Sequence, residues 1–358
     1  MRNPRWVLGA GCAALAITAG AGIAGCSNPT SSSSAATSPT SSTSPTGSAA
    51  AAQPLNVIVP DPGNFTSGMP VYVAMAQGFF KQQHLNITVV PTQGGATNVQ
   101  AVIAGKGAIG VDTGPVSVLA ADLHGANLKI LGADTTGMDI LFFAKANGPI
   151  KTVYNLAGKK VGFSSPGSSS NVAFNQLNAM LKAKKLAPAT GVPLGGPPAQ
   201  LTGVDTGQIS AGFTAAPNLF AQINSGQLRL LTSLSSYPAY KDVTARVIFA
   251  SGSYISSHPT QVKEFLTAWT QAWAYAFGHH AQAMTDWKTG ANLPETTSVL
   301  ATGFSYYTAA TQQLYPLSLS RDVSDAVSLG VLKTPLTASQ LSANVDTQFD
   351  QAAMSATG

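Results

Sequence analysis

The stretch Leu55-Asn56-Val57-Ile58-Val59, then Gly68-Met69-Pro70-Val71-Tyr72-Val73-Ala74-Met75-Ala76-Gln77-Gly78-Phe79-Phe80, then Ile87-Thr88-Val89-Val90 decides the fold class. The first and third pieces are short and β-branched, which predicts strands. The middle piece carries apolar residues at Val71, Ala74, Met75 and Phe79, a helical spacing opened by Pro70. Strand, helix and strand in that order make a βαβ unit, and such units build parallel sheets covered by helices.

The same alternation continues. Gly94-Gly95 opens a helix over Thr97 to Ala104, Ala108 to Val111 is a strand, and Pro115 opens another helix. Strands at Leu128 to Ala133 and Ile140 to Ala144 complete a first set. A second set starts with Val161-Gly162-Phe163, whose helix is capped by the run Ser168 to Asn171 and reaches about Lys185. Val192 to Leu194, Ala211 to Thr214 and Leu228 to Leu231 read as its further strands, with helices near Ala199 and Pro217. Val247 to Ala250 returns to the first set. Helical patterns then dominate at Pro259 to Gly278, Pro294 to Tyr307, Asp322 to Leu329 and Ala338 to Ala352.

Upstream of this body the chain changes character. Basic Arg2 and Arg5 precede an apolar, Ala/Gly-rich run that closes at Ile23-Ala24-Gly25-Cys26, the pattern of a secretory signal ending at cysteine. It resembles the bacterial lipobox, so residues 1–25 are expected to be removed and Cys26 to carry the lipid that holds the protein on a membrane. Residues 27–53 are almost wholly Ser, Thr, Pro, Ala and Gly. A segment without large apolar side chains cannot bury enough surface to fold, so residues 26–53 read as a lipidated tether with a reach of roughly 30 Å.

About 300 residues remain, enough for two lobes with their own cores. Loss of Arg2 and Arg5 leaves 17 of the 19 basic residues against 14 acidic ones, a net charge near +3 with no basic patch for nucleic acid. Both cysteines, Cys12 and Cys26, lie before the body, which therefore has neither disulfide nor thiol chemistry. After the signal no apolar run approaches the ~18 residues that span a bilayer.

The body resembles the solute-binding proteins of ABC importers for nitrate, sulfonates, taurine and thiamine-pyrimidine precursors. The resemblance rests chiefly on Gly68 to Phe80, on Leu85 to Val90 with the Gly94-Gly95 turn, on Ala104 to Gly110 and on Asn155 to Gly162. Two positions depart from the family pattern: Ala108 and Ser210 stand where it usually has aspartate. The resemblance implies an α/β, two-lobed periplasmic-binding-protein type II fold, each lobe a mostly parallel sheet flanked by helices. Lobe 1 would comprise residues 54–145 and 246–358, and lobe 2 residues 146–245. It further implies an extracytoplasmic binding protein, a monomer with no cofactor, that passes a small organic molecule or oxyanion to the transmembrane subunits of a permease. An enzyme on the same scaffold, related to pyrimidine-precursor synthesis, is the alternative. The absence of Gly-x-Ser-x-Gly, Walker and His-Glu-x-x-His motifs leans against it.

Open α/β sheets bind ligands at the carboxyl ends of their strands. The loops placed there contribute the candidate ligand-binding residues Asn64, Phe65, Thr66, Gly95, Thr97, Asp112, Thr113, Ser165, Ser168, Ser169, Ser170 and Asn218. None of these loops contains Lys or Arg, so hydroxyls and helix-start N–H groups would hold an oxyanion, or a neutral or zwitterionic ligand would fit equally well. Ser168 to Asn171 also reads simply as a helix cap. Phe65 either stacks on a planar ligand or fills the lobe junction, and Asp112 either accepts a ligand hydrogen bond or caps the Pro115 helix. His279-His280 are surface residues with no third metal ligand nearby, and Trp269 and Trp273, four apart, form a core face.

Overall fold

The computed structural model describes residues 52–349. The expected signal, Cys26, nearly all of the expected tether and the end of the last expected helix lie outside the described residues. The strands are β1 Gln53–Pro60, β2 Leu85–Thr92, β3 Ile109–Thr113, β4 Leu128–Thr136, β5 Leu141–Lys145, β6 Lys160–Phe163, β7 Thr190–Pro193, β8 Gly212–Thr214, β9 Leu228–Ser233 and β10 Thr244–Ser251.

Five of them form a sheet in the order β2-β1-β3-β10-β4. β1 pairs in parallel with β2 and β3, and β10 enters antiparallel between β3 and β4. The burial of β1 explains its central place: Val57, Ile58 and Val59 are all shut off from solvent, as a strand covered on both faces requires. Helices Gly68–Ala76 and Pro259–Gly278 cover one face of this sheet with Trp269 and Trp273 inside, as their four-residue spacing predicts.

The remaining strands form a second layer. β5 lies antiparallel between β8 and β9, β6 pairs in parallel with β7, and a bridge from Val161 to Ala211 joins the two groups. Both layers therefore combine parallel and antiparallel pairings within a mixed α/β fold. The sequence reading put Ile140 to Ala144 with the first set, whereas β5 hydrogen-bonds only within the second layer. Its continuous apolar run, Leu141-Phe142-Phe143-Ala144, suits a buried strand in either sheet, so composition could not assign it. The chain leaves the first sheet between β4 and β5 and returns between β9 and β10.

A second difference lies in the C-terminal third. His280–Gly290 forms an eleven-residue helix that buries Met284 and Trp287, where the sequence reading had marked only surface histidines. His279 and His280 are exposed and stack on Tyr275 and Phe304. The Pro294 to Tyr307 pattern resolves into short turns, Thr297–Leu300 and Ala301–Ser305, and the last helix covers only Ala338–Ser342 among the described residues. No helix of the described residues is long and apolar enough to cross a membrane.

Candidate functional site

The carboxyl ends of β1, β3 and β4 and the amino end of the antiparallel β10 converge on a buried charge cluster. After β1 the chain turns through Asp61, at φ 51°, which points Asn64 and Thr66 toward β3. Asp112, near the end of β3, is also in the left-handed region at φ 52°. Its carboxylate accepts hydrogen bonds from Thr66 Oγ1 (2.8 Å), Asn64 Nδ2 (2.9 Å) and Arg246 Nη1 (2.8 Å). Arg246 Nη2 donates to Asp139 Oδ1 at 2.8 Å, and Tyr307 donates its hydroxyl to Asp139 Oδ2 at 2.6 Å. The backbone N–H of Asp112 donates to Asp134 Oδ2 at 2.6 Å.

Burial opposes the Arg246 charge, but the carboxylates of Asp112 and Asp139 outweigh it and hold the guanidinium protonated above its ordinary value. Burial raises the Asp112 pKa, with Arg246 pulling the other way. Asp134 is pushed well above the usual carboxylate range by burial and then by the neighbouring Asp112 charge. Burial raises Asp61 too, against the N–H of Gly63 and the amide of Asn218.

The opposite wall is the start of the helix Ser169–Ala183. Ser168 caps it by accepting from Asn171 N–H at 3.2 Å. The serine hydroxyls are committed to one another and to the backbone: Ser170 Oγ accepts from Ser164 N–H at 2.9 Å and meets Ser168 Oγ at 3.0 Å, while Ser169 Oγ donates to the carbonyl of Ala245 at 2.8 Å. Asn218, past β8, donates to Asp61 Oδ2 at 3.1 Å. Ser169–Ala245 and Asn218–Asp61 are thus links between the two layers. At a third point Gly114 lies so close that a Cβ there would sit 2.8 Å from Ser169 N.

Between these walls is a cavity of about 180 Å³. Of the candidate residues, Asn64, Gly95, Asp112, Ser168, Ser169, Ser170 and Asn218 line it. Thr66 is fully buried behind it, holding Asp112. Thr113 is buried and bonded to Asn98, Thr97 is exposed and binds the carbonyl of Gly94, and Ser165 does not border the cavity.

Phe65 is a correction. It is 0 % exposed, stacked on Tyr307 at 5.1 Å and edge-on to Phe304 and Trp287, so it packs in the core and does not line the cavity. The capping alternative for Asp112 also fails, since the Pro115 helix has no side-chain cap. Arg246 is not among the candidate residues, which all lie in loops or at element starts and ends, because it sits inside β10. An arginine between Ala245 and Val247, in a chain where only 9 % of residues are charged, was the available signal. Among the described residues no cluster of His, Cys, Asp and Glu suits a metal ion.

A comparison with curated protein sequences finds no match. Solved structures match well in shape. The alkanesulfonate-binding protein SsuA from Xanthomonas axonopodis pv. citri, bound to MOPS, is 19% identical with a TM-score of 0.67, over 84% of this chain and 100% of that one. The periplasmic nitrate-binding protein NrtA from Synechocystis PCC 6803 is 12% identical with a TM-score of 0.68, over 86% and 89%. The desulfurization enzyme DSZB is 16% identical with a TM-score of 0.60, over 84% and 99%. The family described as NMT1/THI5 like matches residues 66–283, so the chain belongs to the NMT1/THI5-like family and has the periplasmic-binding-protein fold.

Proposed function

We propose that this chain is the extracytoplasmic solute-binding component of an ABC importer, held to the membrane through Cys26 and delivering a small organic molecule or oxyanion to a permease. The observation that carries the reading is the cavity at the carboxyl ends of β1 and β3, bridged by Asn218–Asp61 and Ser169–Ala245. Its two walls belong to different sheets, so we assign them to two lobes. One is built on the five-stranded sheet and one on β5 to β9, with crossings at 137–140 and 234–243 as the hinge. Release of solute then requires breaking those links, together with Asn175–Ser328 and Gln176–Asp325, and swinging the lobes apart, the motion usual in bilobal binders.

Neighbours named as sulfonate- and nitrate-binding proteins support this role, and DSZB keeps the enzyme alternative in view. No Cys or His lines the cavity, which removes the commonest nucleophile-base pairs. The test is native mass spectrometry of the purified protein for a co-purified small molecule, followed by small-angle scattering as that molecule is returned to stripped protein. Compaction on saturation is expected. An unchanged radius of gyration, or turnover of the molecule, overturns the reading.

A further inference from the structure

The two layers also meet away from the cavity, along the helix Ser320–Ser328. This helix is fixed to the first layer: it packs on Pro115–Ala121, and the chain leading into it is bonded to the start of β10, where Ser318 N–H donates to Thr244 Oγ1 at 2.8 Å and Thr244 N–H to the Ser318 carbonyl at 3.3 Å. Two successive residues of the second layer reach it from the helix Ser169–Ala183. Asn175 Nδ2 donates to Ser328 Oγ at 2.7 Å, and Gln176 Nε2 donates to Asp325 Oδ2 at 3.3 Å.

The second contact is buried and charged, with Gln176 1 % and Asp325 5 % exposed. Asp322, three residues earlier on the same helix face, is buried as well. Arg321 Nε lies 3.4 Å from both oxygens of Asp325, but its side chain is more than a third exposed, so one solvated cation serves two buried carboxyls. Asp322 Oδ2 and Gln176 Oε1 are buried acceptors without a hydrogen-bond partner among the described residues. Such groups are costly, and a proton on the carboxyl pair turns an acceptor into a donor. Gln176 can meet either state, since its amide turned over presents Oε1 to a protonated Asp325 in place of Nε2.

Burial, and then the Asp325 charge, raises the Asp322 carboxyl well above its usual range, and burial raises Asp325 against the pull of Arg321 and Gln176. Other charges stand apart. Pro115–Ala121 has no titratable side chain, and Lys182, the one charged residue of Ser169–Ala183, lies more than a turn beyond Gln176. The Tyr240 ring stacks under Arg321 at 5.0 Å, while Lys241, Asp242 and Lys333 are exposed.

We propose that Asp322, Asp325 and Gln176 form a proton-linked clasp between the lobes, taking up a proton as they close and giving it back as they part. This rests on the two-lobe solute-binding reading. Drawing Gln176 away returns Asp325 to water, so the closed form keeps the proton to higher pH than the open form. The contribution to closure is fully present below the ordinary carboxyl value of about 3.9 and is lost as pH rises through the closed-form value. Acid thus favours the shut carrier, and alkali favours release.

The body has no cysteine, so the full chain in detergent, stripped of bound solute, is spin-labelled at Ile103→Cys and Leu186→Cys, exposed sites on the first and second layers. The ratio of shorter to longer label separations is expected to fall about threefold or more between about pH 4.5 and pH 8. Asp325→Asn, which keeps an oxygen for Gln176 Nε2 and does not titrate, is expected to abolish that dependence, and Asp322→Asn to reduce it. Ser328→Ala, which loses only the neighbouring uncharged link, is expected to lengthen the separations equally at both pH values. A native distribution that does not change with pH overturns the proposal, as does full pH dependence in Asp325→Asn. If that variant does not fold, undiminished dependence in Asp322→Asn overturns it in the same way. The solute-binding reading is judged separately, by the co-purified molecule.

Discussion

Arg246 Nη2 lies 2.8 Å from Asp139 Oδ1, joining the strand on which the chain re-enters the first sheet to the segment by which it leaves. The same guanidinium reaches Asp112 at 2.8 Å, and all three side chains are 5–6 % exposed. Removing one member of such a pair strands the others without solvent. Arg246→Met should therefore destabilise the protein by about 3–5 kcal/mol, measured by urea unfolding at neutral pH. A loss below about 1 kcal/mol would show that water reaches the cluster.

Phe65 leads to a second expectation. Its ring fills space between Tyr307, Phe304, Trp273 and Trp287, and Gly303 lacks a side chain where a Cβ would lie 2.2 Å from that ring. Phe65→Ala should cost about 3–5 kcal/mol of stability. A thermal melt of the empty protein reads this directly, and an unchanged melting temperature would return Phe65 to the ligand-contacting set.

Asp322 makes stability depend on pH. It is 2 % exposed, Oδ2 has no partner, and burial followed by the Asp325 charge raises its pKa well above the usual value. A carboxyl that holds its proton more tightly when folded contributes stability fully present below the unfolded value of about 3.9, and that contribution is lost as pH rises through the folded value. Asp322→Asn should be about 1–2 kcal/mol more stable than the native protein at pH 8, with the gap shrinking toward pH 4. Parallel denaturation curves at the two pH values check both sign and trend.

The lipid anchor proposed at Cys26 is open to a direct test. Cys26 is the only cysteine after Cys12. Cys26→Ser should move the protein from the membrane fraction to the soluble one, and persistent sedimentation with membranes would require another attachment.

How much could be read in advance follows from where the information sits. β1, β2, β3 and the helix Pro259–Gly278 were legible because their apolar period is local and strong. β5 was identified as a strand, yet its sheet was not, since pairing partners lie about 70 to 90 residues away and leave no trace in Leu141 to Lys145. The serine run and Asn64 were found by assuming that loops carry the site. The serine hydroxyls are spent on one another and on backbone groups, which depends on geometry that composition does not record. Arg246 and Phe65 failed in opposite directions: a charged residue inside a strand belonged to the cavity, and an aromatic in a loop belonged to the core.

The near-contact between Gly114 and Ser169 gives the cleft a doorstop position. A methyl group at residue 114 would press on the backbone of the facing loop in this structure, and under the proposed two-lobe motion that clash would be relieved when the lobes part. Gly114→Ala should accordingly hold the molecule ajar at little cost to either half, lowering solute affinity while leaving the unliganded scattering profile that of the open form. On the importer reading proposed above, such a variant would separate two events: seizing the cargo, and displaying the shut shape by which a permease would tell a laden carrier from an empty one.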